Sequence, residues 1–310
     1  MDYLKQHVLA SVPAIGVISR YLATRPLEEG EGGPRPRGER EGTLRTALQP
    51  SAMAPDEDRA APDGVRGVLA ASLAVGEDLG LLRAANSGPR VWALNGEVRD
   101  EVRRLPSTDS RAFRSLVLRC LNSRAVAAVE AGQSPPDVAI ALTWLLTQDP
   151  LAPFPARWSD GPERAFDGAG LRAAVSNKEQ WLAFMRWARS LGLATVTAIG
   201  RQKSYLIADP TLAVTAVLDR MPRRKSADQW FQHLRSLLPV LGDPRLVSTL
   251  PAGSDSGSQP PASIALAVQK LELAGRVRLV ASADASNAVV LRVGNRDRRI
   301  SSVHITEGAG

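Results

Sequence analysis

The sequence has one cysteine, three histidines and five lysines, and each scarcity removes a class of chemistry. Cys120 alone can form no internal disulfide and no cysteine-rich metal site. It lies in the apolar run Ser115 to Leu121, where it reads as a small core hydrophobe on a helix. A reducing cytoplasm fits this usage. His7, His233 and His304 fall in three different stretches, so the convergent ligands that zinc needs are not gathered locally. His233, beside Trp230, reads as an ordinary half-exposed residue. His304, near the basic tail, is either a phosphate contact or a solvated side chain.

The lysines are Lys5, Lys178, Lys203, Lys225 and Lys270. A restriction-type nuclease sets a carboxylate two residues before a lysine, so that metal and general base meet at the scissile phosphate. None of the five has Asp or Glu there. There is no G-x-x-x-x-G-K-[ST] phosphate loop and no strand-bound G-x-G-x-x-G. Gly253 to Gly257 places Asp255, not a serine, at its centre, so it is no nucleophile elbow. We therefore expect no catalytic residue, no metal, no cofactor and no small-molecule substrate. Apolar runs are too short for a spanning helix, which needs about 18 such residues. The apolar stretch Val8 to Ile18 follows Asp2, Gln6 and His7 and is followed by no A-x-A cleavage site, unlike a secretory leader. A soluble cytoplasmic protein is the expectation.

What is abundant is arginine: 34 of the 39 basic residues, with a formal charge of +7 and a pI near 10.1. A GC-rich genome yields such a bias, and so does selection for a polyanion partner. The charge is unevenly spread. Leu27 to Asp63 holds nine acidic and five basic residues, so the remainder carries +11. That stretch is rich in Gly, Pro and Glu and cannot bury enough apolar area to offset its ordering entropy. It reads as a flexible insertion, mostly irregular, with a short helix from Thr43 to Leu48. Elsewhere an apolar fraction of 44% and a charged fraction of 23% are those of a folded chain.

Hydrophobic periodicity predicts a mainly α protein with small antiparallel β wings, built as tandem winged-helix (helix-turn-helix) domains. The first, residues 1–105, carries the 27–63 insertion. It reads as a helix from Tyr3 to Thr24, a second from Val65 to Leu82, and a strand at Arg90 to Leu94. The middle domain, 106–222, has a capping-box spacing at Ser176 and Glu179. A stripe of Trp181, Phe184, Met185, Ala188 and Leu191 follows and ends at Gly192. Ala194 to Ile199 and Ser204 to Ala208 then read as strands around a basic tip, and Asp209-Pro210 caps the next helix. In the last domain, 223–310, helices are expected from Asp228, at Pro244 to Leu250, and at Ser263 to Ala274. Arg276 to Val280 should pair with Ala288 to Arg292. Alternative spacings give no fixed repeat, so a solenoid is excluded.

Basic residues cluster after residue 200. Arg201 and Lys203 mark one turn, Arg223, Arg224 and Lys225 a linker, and Arg276, Arg278, Arg296, Arg298 and Arg299 the final strands, with Lys270 on the last helix. A phosphate-tracking surface uses such clusters; solvated linkers and wings carry them too. If Ile264, Val268 and Leu271 face the core, then Ser263, Ala265, Leu266, Gln269 and Lys270 face outward. Ala265 and Leu266 read no base edges, so this helix either leaves DNA recognition to backbone contacts or docks a protein through Leu266. Trp158, in a Pro-rich loop, is the aromatic best placed to anchor a partner.

Several stretches resemble the DpdG proteins of bacterial gene clusters that put 7-deazapurines into DNA and restrict unmodified DNA. They are Ser72-Leu73 with Leu79 to Leu82, Trp187 to Leu193, Ile207 to Thr211, and Leu266 to Gly275. The resemblance implies an accessory, non-catalytic defence protein working beside helicases and nucleases, and it brings no catalytic residues with it. Two functions are then expected: a subunit that binds duplex DNA without sequence preference, among other protein subunits of a defence complex and away from membranes, or a scaffold that docks partner subunits without touching DNA.

Overall fold

Proline and glycine punctuation decides where the helices begin and end. The structure is a computed structural model that describes residues 1–28, 35–48, 67–85, 90–106, 110–199, 203–251, 259–281 and 288–306. Its residues pack as two compact units, Met1–Leu121 and Asn122–Gly310; the expected boundary at 222/223 falls inside the second.

In the first unit the expected opening helix is two, α1 (Tyr3–Gln6) and α2 (Val12–Ala23). Pro13 has no N–H to continue a helix and suits a first turn. Ser11 caps that turn, its Oγ accepting from Ala14 N at 3.3 Å. Strands β1 (Leu27–Glu28) and β2 (Arg35–Pro36) pair with each other. Then come β3 (Glu39–Arg40), α3 (Glu41–Leu48), α4 (Val68–Asp78), β4 (Leu82–Ala85) and β5 (Val91–Leu94). Helix α3 contains the short helix expected from Thr43 to Leu48, and residues 29–34 of the insertion lie outside the described residues. One apolar side chain, Leu44, is wholly buried and fastens α3, while β3 pairs with β5. Residues 49–66 lie outside the described residues. The second helix is shorter than expected because Gly80, at φ +71°, ends it and Leu82 already belongs to a strand. Helix α5 (Gly96–Arg104) and α6 (Ser110–Glu130) follow.

The second unit continues with α7 (Asp137–Thr147), β6 (Phe154–Pro155), a 3-10 turn at Trp158–Asp160, α8 (Pro162–Gly168) and α9 (Lys178–Ser190). The capping box stands one residue later than its S-x-x-E spacing suggested. Asn177 Oδ1 accepts from Gln180 N at 2.9 Å, and Gln180 Oε1 accepts from Ser176 N at 2.7 Å. The predicted stripe is buried throughout. Strands β7 (Ala194–Ile199) and β8 (Lys203–Ala208) form the predicted hairpin, with β6 on the other side of β8. Helix α10 (Thr211–Val217) leads to β9 (Arg224–Ser226), α11 (Ala227–Leu237), α12 (Pro244–Val247) and α13 (Ala262–Leu273), and to β10 (Val277–Ala281), β11 (Val289–Val293) and β12 (Arg296–Ile305).

The expected pairing of the strands now called β10 and β11 does not form. Both pair instead with β12, on opposite edges: Ile300 faces Ala281 on one side and Val289 on the other. A two-residue turn, Gly294-Asn295, joins β11 to β12, with Gly294 at φ +57°. That dipeptide supplies the positive φ a tight hairpin requires, whereas the turn expected at 283–287 lies outside the described residues. Sequence reading placed the turn in the wrong loop.

Three sheets therefore share one plan. In each, a short strand precedes the helices, two in the first and second and three in the third, a hairpin follows, and the last strand is paired on both edges: β3-β5-β4, β6-β8-β7, and β9-β12-β10, with β11 also paired to β12.

Candidate nucleic-acid interface

The outward face of the third sheet gathers basic side chains from three strands, β9, β10 and β12. Register sets this. Val303, wholly buried, faces Leu279 and Lys225 across the sheet, so the next residue, His304, points away from the core. His304 stands between Arg278 on β10 and Arg224 on β9. Directly opposed residues on one face lie about 5 Å apart at Cβ, so the three form a row across the sheet. Arg224 and Arg278 are exposed, and neither has an ion-pair partner among the described residues. Ser302 Oγ lies 3.2 Å from His304 Nε2. Farther along β12, Arg299 is exposed and faces Val290. Such a row can present several cations to a polyanion at fixed spacing. Sequence reading named the arginines and left His304, near the basic tail, as either a phosphate contact or a solvated side chain; the register places it between Arg224 and Arg278.

Beside this face a groove of about 620 Å³ opens between the start of β9 and α11, lined by Arg220, Lys225, Gln229, Gln232, His233 and Ser236. Lys225 enters it because the position is on the core side of β9 but at the sheet edge, where the side chain escapes to water. Among the described residues no carboxylate lines it.

Other predicted residues are placed differently. Arg201 lies outside the described residues. Lys203 is exposed at the start of β8. Arg223 is exposed, and its carbonyl accepts from Ile305 N at 2.8 Å, which holds β9 against β12. Arg276 is half-buried and Arg296 exposed, both in the third sheet's strands or their approach. Lys270 is not an open contact: its Nζ is 2.7 Å from Asp209 Oδ2. Burial raises the Asp209 carboxyl, but hydrogen bonds from Lys270 and Thr211 outweigh it and hold the pKa below the ordinary carboxylate value. Arg298 is likewise engaged. It lies on the core side of β12 and donates to Glu272 through Nη1 and Nη2, the latter 2.9 Å from Oε1. Arg298 is thus taken up by Glu272, while Arg224, His304 and Arg278 form the open row on this sheet.

The two partner-binding expectations change as well. Trp158 is not an exposed anchor. It packs against Phe166 and Trp181 at centroid distances of 6.1 and 6.3 Å and is 9% exposed. In α13, Ser263 and Ala265 are wholly buried rather than outward. Helix α10 packs on one side of α13, and Ser263 Oγ donates to Leu146 O of α7 on another. Leu266 is half-buried, whereas Leu273, at the end of that helix, is 90% exposed. Among the described residues no group of three or more His, Cys, Asp or Glu gathers to hold a metal ion, and no helix is long and apolar enough to cross a membrane.

A family model described as DpdG-like matches residues 4–285. This chain belongs to the DpdG-like family. The match covers the first two three-stranded sheets and, of the third, β9 and β10, and ends before β11 and β12. Membership associates the DpdG-like chain with DNA-modification gene clusters. No curated protein and no solved structure matches it.

Proposed function

We propose that the protein is a non-catalytic, cytoplasmic DNA-binding subunit of a DNA-modification or defence complex, and that it holds duplex DNA through backbone contacts. Each of the three sheets with its helices is then a winged-helix module. The recurrence of one strand order in all three supports that reading. The observation that carries the DNA-binding role is the row of Arg224, His304 and Arg278, with Arg299 along the same face and Lys225 at its edge. Strands laid along a duplex in this way contact phosphates on both sides of a groove, and phosphate contacts position without specifying sequence.

The test is a salt titration on two unrelated duplexes with wild type and the variant Arg223→Gln, Arg224→Gln, Lys225→Gln. Affinity should fall steeply with salt and hardly differ between duplexes. The variant should lose roughly two to three units of slope, at about 0.9 per phosphate contact. An unchanged slope clears these residues of the role.

A second reading, the docking scaffold, is favoured by one observation: Leu273 stands 90% exposed at the C-terminal end of α13. Absence of duplex binding by wild type at low salt would make it the better account.

A further inference from the structure

The middle module carries a cleft whose size and chemistry differ from those of the basic sheet face. It measures about 930 Å³, and Arg157, Lys178 and Lys203 line it from three different elements. Hydrogen bonds tie its walls together. Ala156 N donates to Ser204 O at 2.8 Å and Trp181 Nε1 donates to Ala156 O at 2.8 Å, so Arg157 is held beside the hairpin that bears Lys203. Lys178 opens α9 directly after its Asn177 cap. Among the described lining residues one carboxylate, Asp160, shares the wall with these three cations.

The remaining wall is apolar and aromatic. Tyr205 follows Lys203 by two residues on β8, so both project from the same face of the strand. The Tyr205 ring is half-exposed with Pro155 across the strand, and Leu182 of α9 is 40% exposed. Charge alone would serve any phosphate. An open ring and an apolar rim beside it serve a base whose face is free.

Volume decides between strands. Concavities of about 300–1,000 Å³ enclose a ligand of small-molecule size. A duplex is far too wide to enter, and its base faces are stacked against one another. One or two nucleotides of an unpaired strand fit both the space and the chemistry, since cationic grooves with aromatic platforms bind single strands by tracking phosphates and stacking bases. The geometry points to a single-stranded nucleic-acid site in this cleft, with phosphates on Arg157, Lys178 and Lys203 and a base against Tyr205. It does not depend on the duplex reading, which uses other residues.

Fluorescence anisotropy of the full chain with a labelled short oligothymidylate, and with a duplex of equal length, tests it. The variant Lys178→Gln, Lys203→Gln should lower the single-strand salt slope by about 1.4, at about 0.7 per phosphate on a single strand, and leave duplex binding unchanged. Tyr205→Ala should weaken single-strand binding about tenfold without altering the slope, and Tyr205→Phe should restore it. Thermal unfolding of each variant separates misfolding from lost contact. No single-strand binding by wild type at low salt overturns the inference. So does a Tyr205→Ala protein that folds and binds the strand as wild type does, or a lysine variant that loses duplex and single strand in parallel. Single-strand binding that is Tyr205-dependent, with no duplex binding at all, upholds this site and removes the duplex reading.

Discussion

Replacing Lys270 with glutamine tests whether that lysine serves the fold or a nucleic acid. Asp209 is nearly enclosed, with a side chain 7% exposed, and its partner's side chain is 43% exposed. The carboxylate also accepts from Thr211 N at 3.1 Å and so caps α10. Removing the ammonium leaves a buried anion with its cap hydrogen bonds but without its charge partner. An unpaired buried polar group costs about 1–3 kcal/mol. The 3–5 kcal/mol of a fully buried pair does not apply, because water reaches Lys270 and replaces part of the lost contact. Hydrogen exchange of the α10 amides reads the effect directly, about 1.4 kcal/mol being a tenfold change in protection.

The pH dependence has a definite sign. The folded Asp209 pKa is depressed, so the contact's stabilisation is complete above the unfolded carboxylate value of about 3.9 and disappears as pH falls through the lower folded one. The difference between wild type and Lys270→Gln should therefore be constant near neutrality and close only in acid. The reasoning fails if the variant exchanges like wild type and instead loses about 0.9 of the duplex salt slope, for Lys270 would then be a phosphate contact.

Three further outcomes are expected. Glu272→Gln should flatten the acid limb of a urea-midpoint profile, because the Arg298 hydrogen bond, against burial, holds the folded Glu272 pKa low and that stabilisation vanishes as pH falls through it. Gly294→Ala should lower stability by at least about 1 kcal/mol in urea unfolding, since φ is +57° and a Cβ would lie 2.8 Å from Leu151 Cδ1; no loss would show that this turn relaxes. Cys120, whose thiol burial pushes up to about 11, should react slowly with maleimide at neutral pH in the native state and quickly in urea, because the thiolate is the nucleophile.

Local punctuation was legible in the sequence wherever one residue type has one physical use. Gly192 and Gly275 end α9 and α13 at φ +73° and +66°, and the apolar stripe from Trp181 to Leu191 is buried as its spacing required. The β7–β8 hairpin was legible for the same reason, its strands being close in the chain. Three things were not. The short helix at Thr43 to Leu48 was read, but not that Leu44 within it is wholly buried, because burial depends on residues distant in the chain. The third sheet's order depended on a choice between two loops, and a one-strand error there moves every neighbour. Charge was the least legible of all. Lys270 and Arg298 look as free in the sequence as Arg224 and Arg278, yet tertiary packing brings Asp209 and Glu272 to the first pair and leaves the second beside His304. The sequence by itself determined how many cations the chain holds and where its elements start. Only the tertiary structure decided which of those cations are already neutralised, because ion pairing depends on distances across strands and helices that lie 26 and 61 residues apart in the chain.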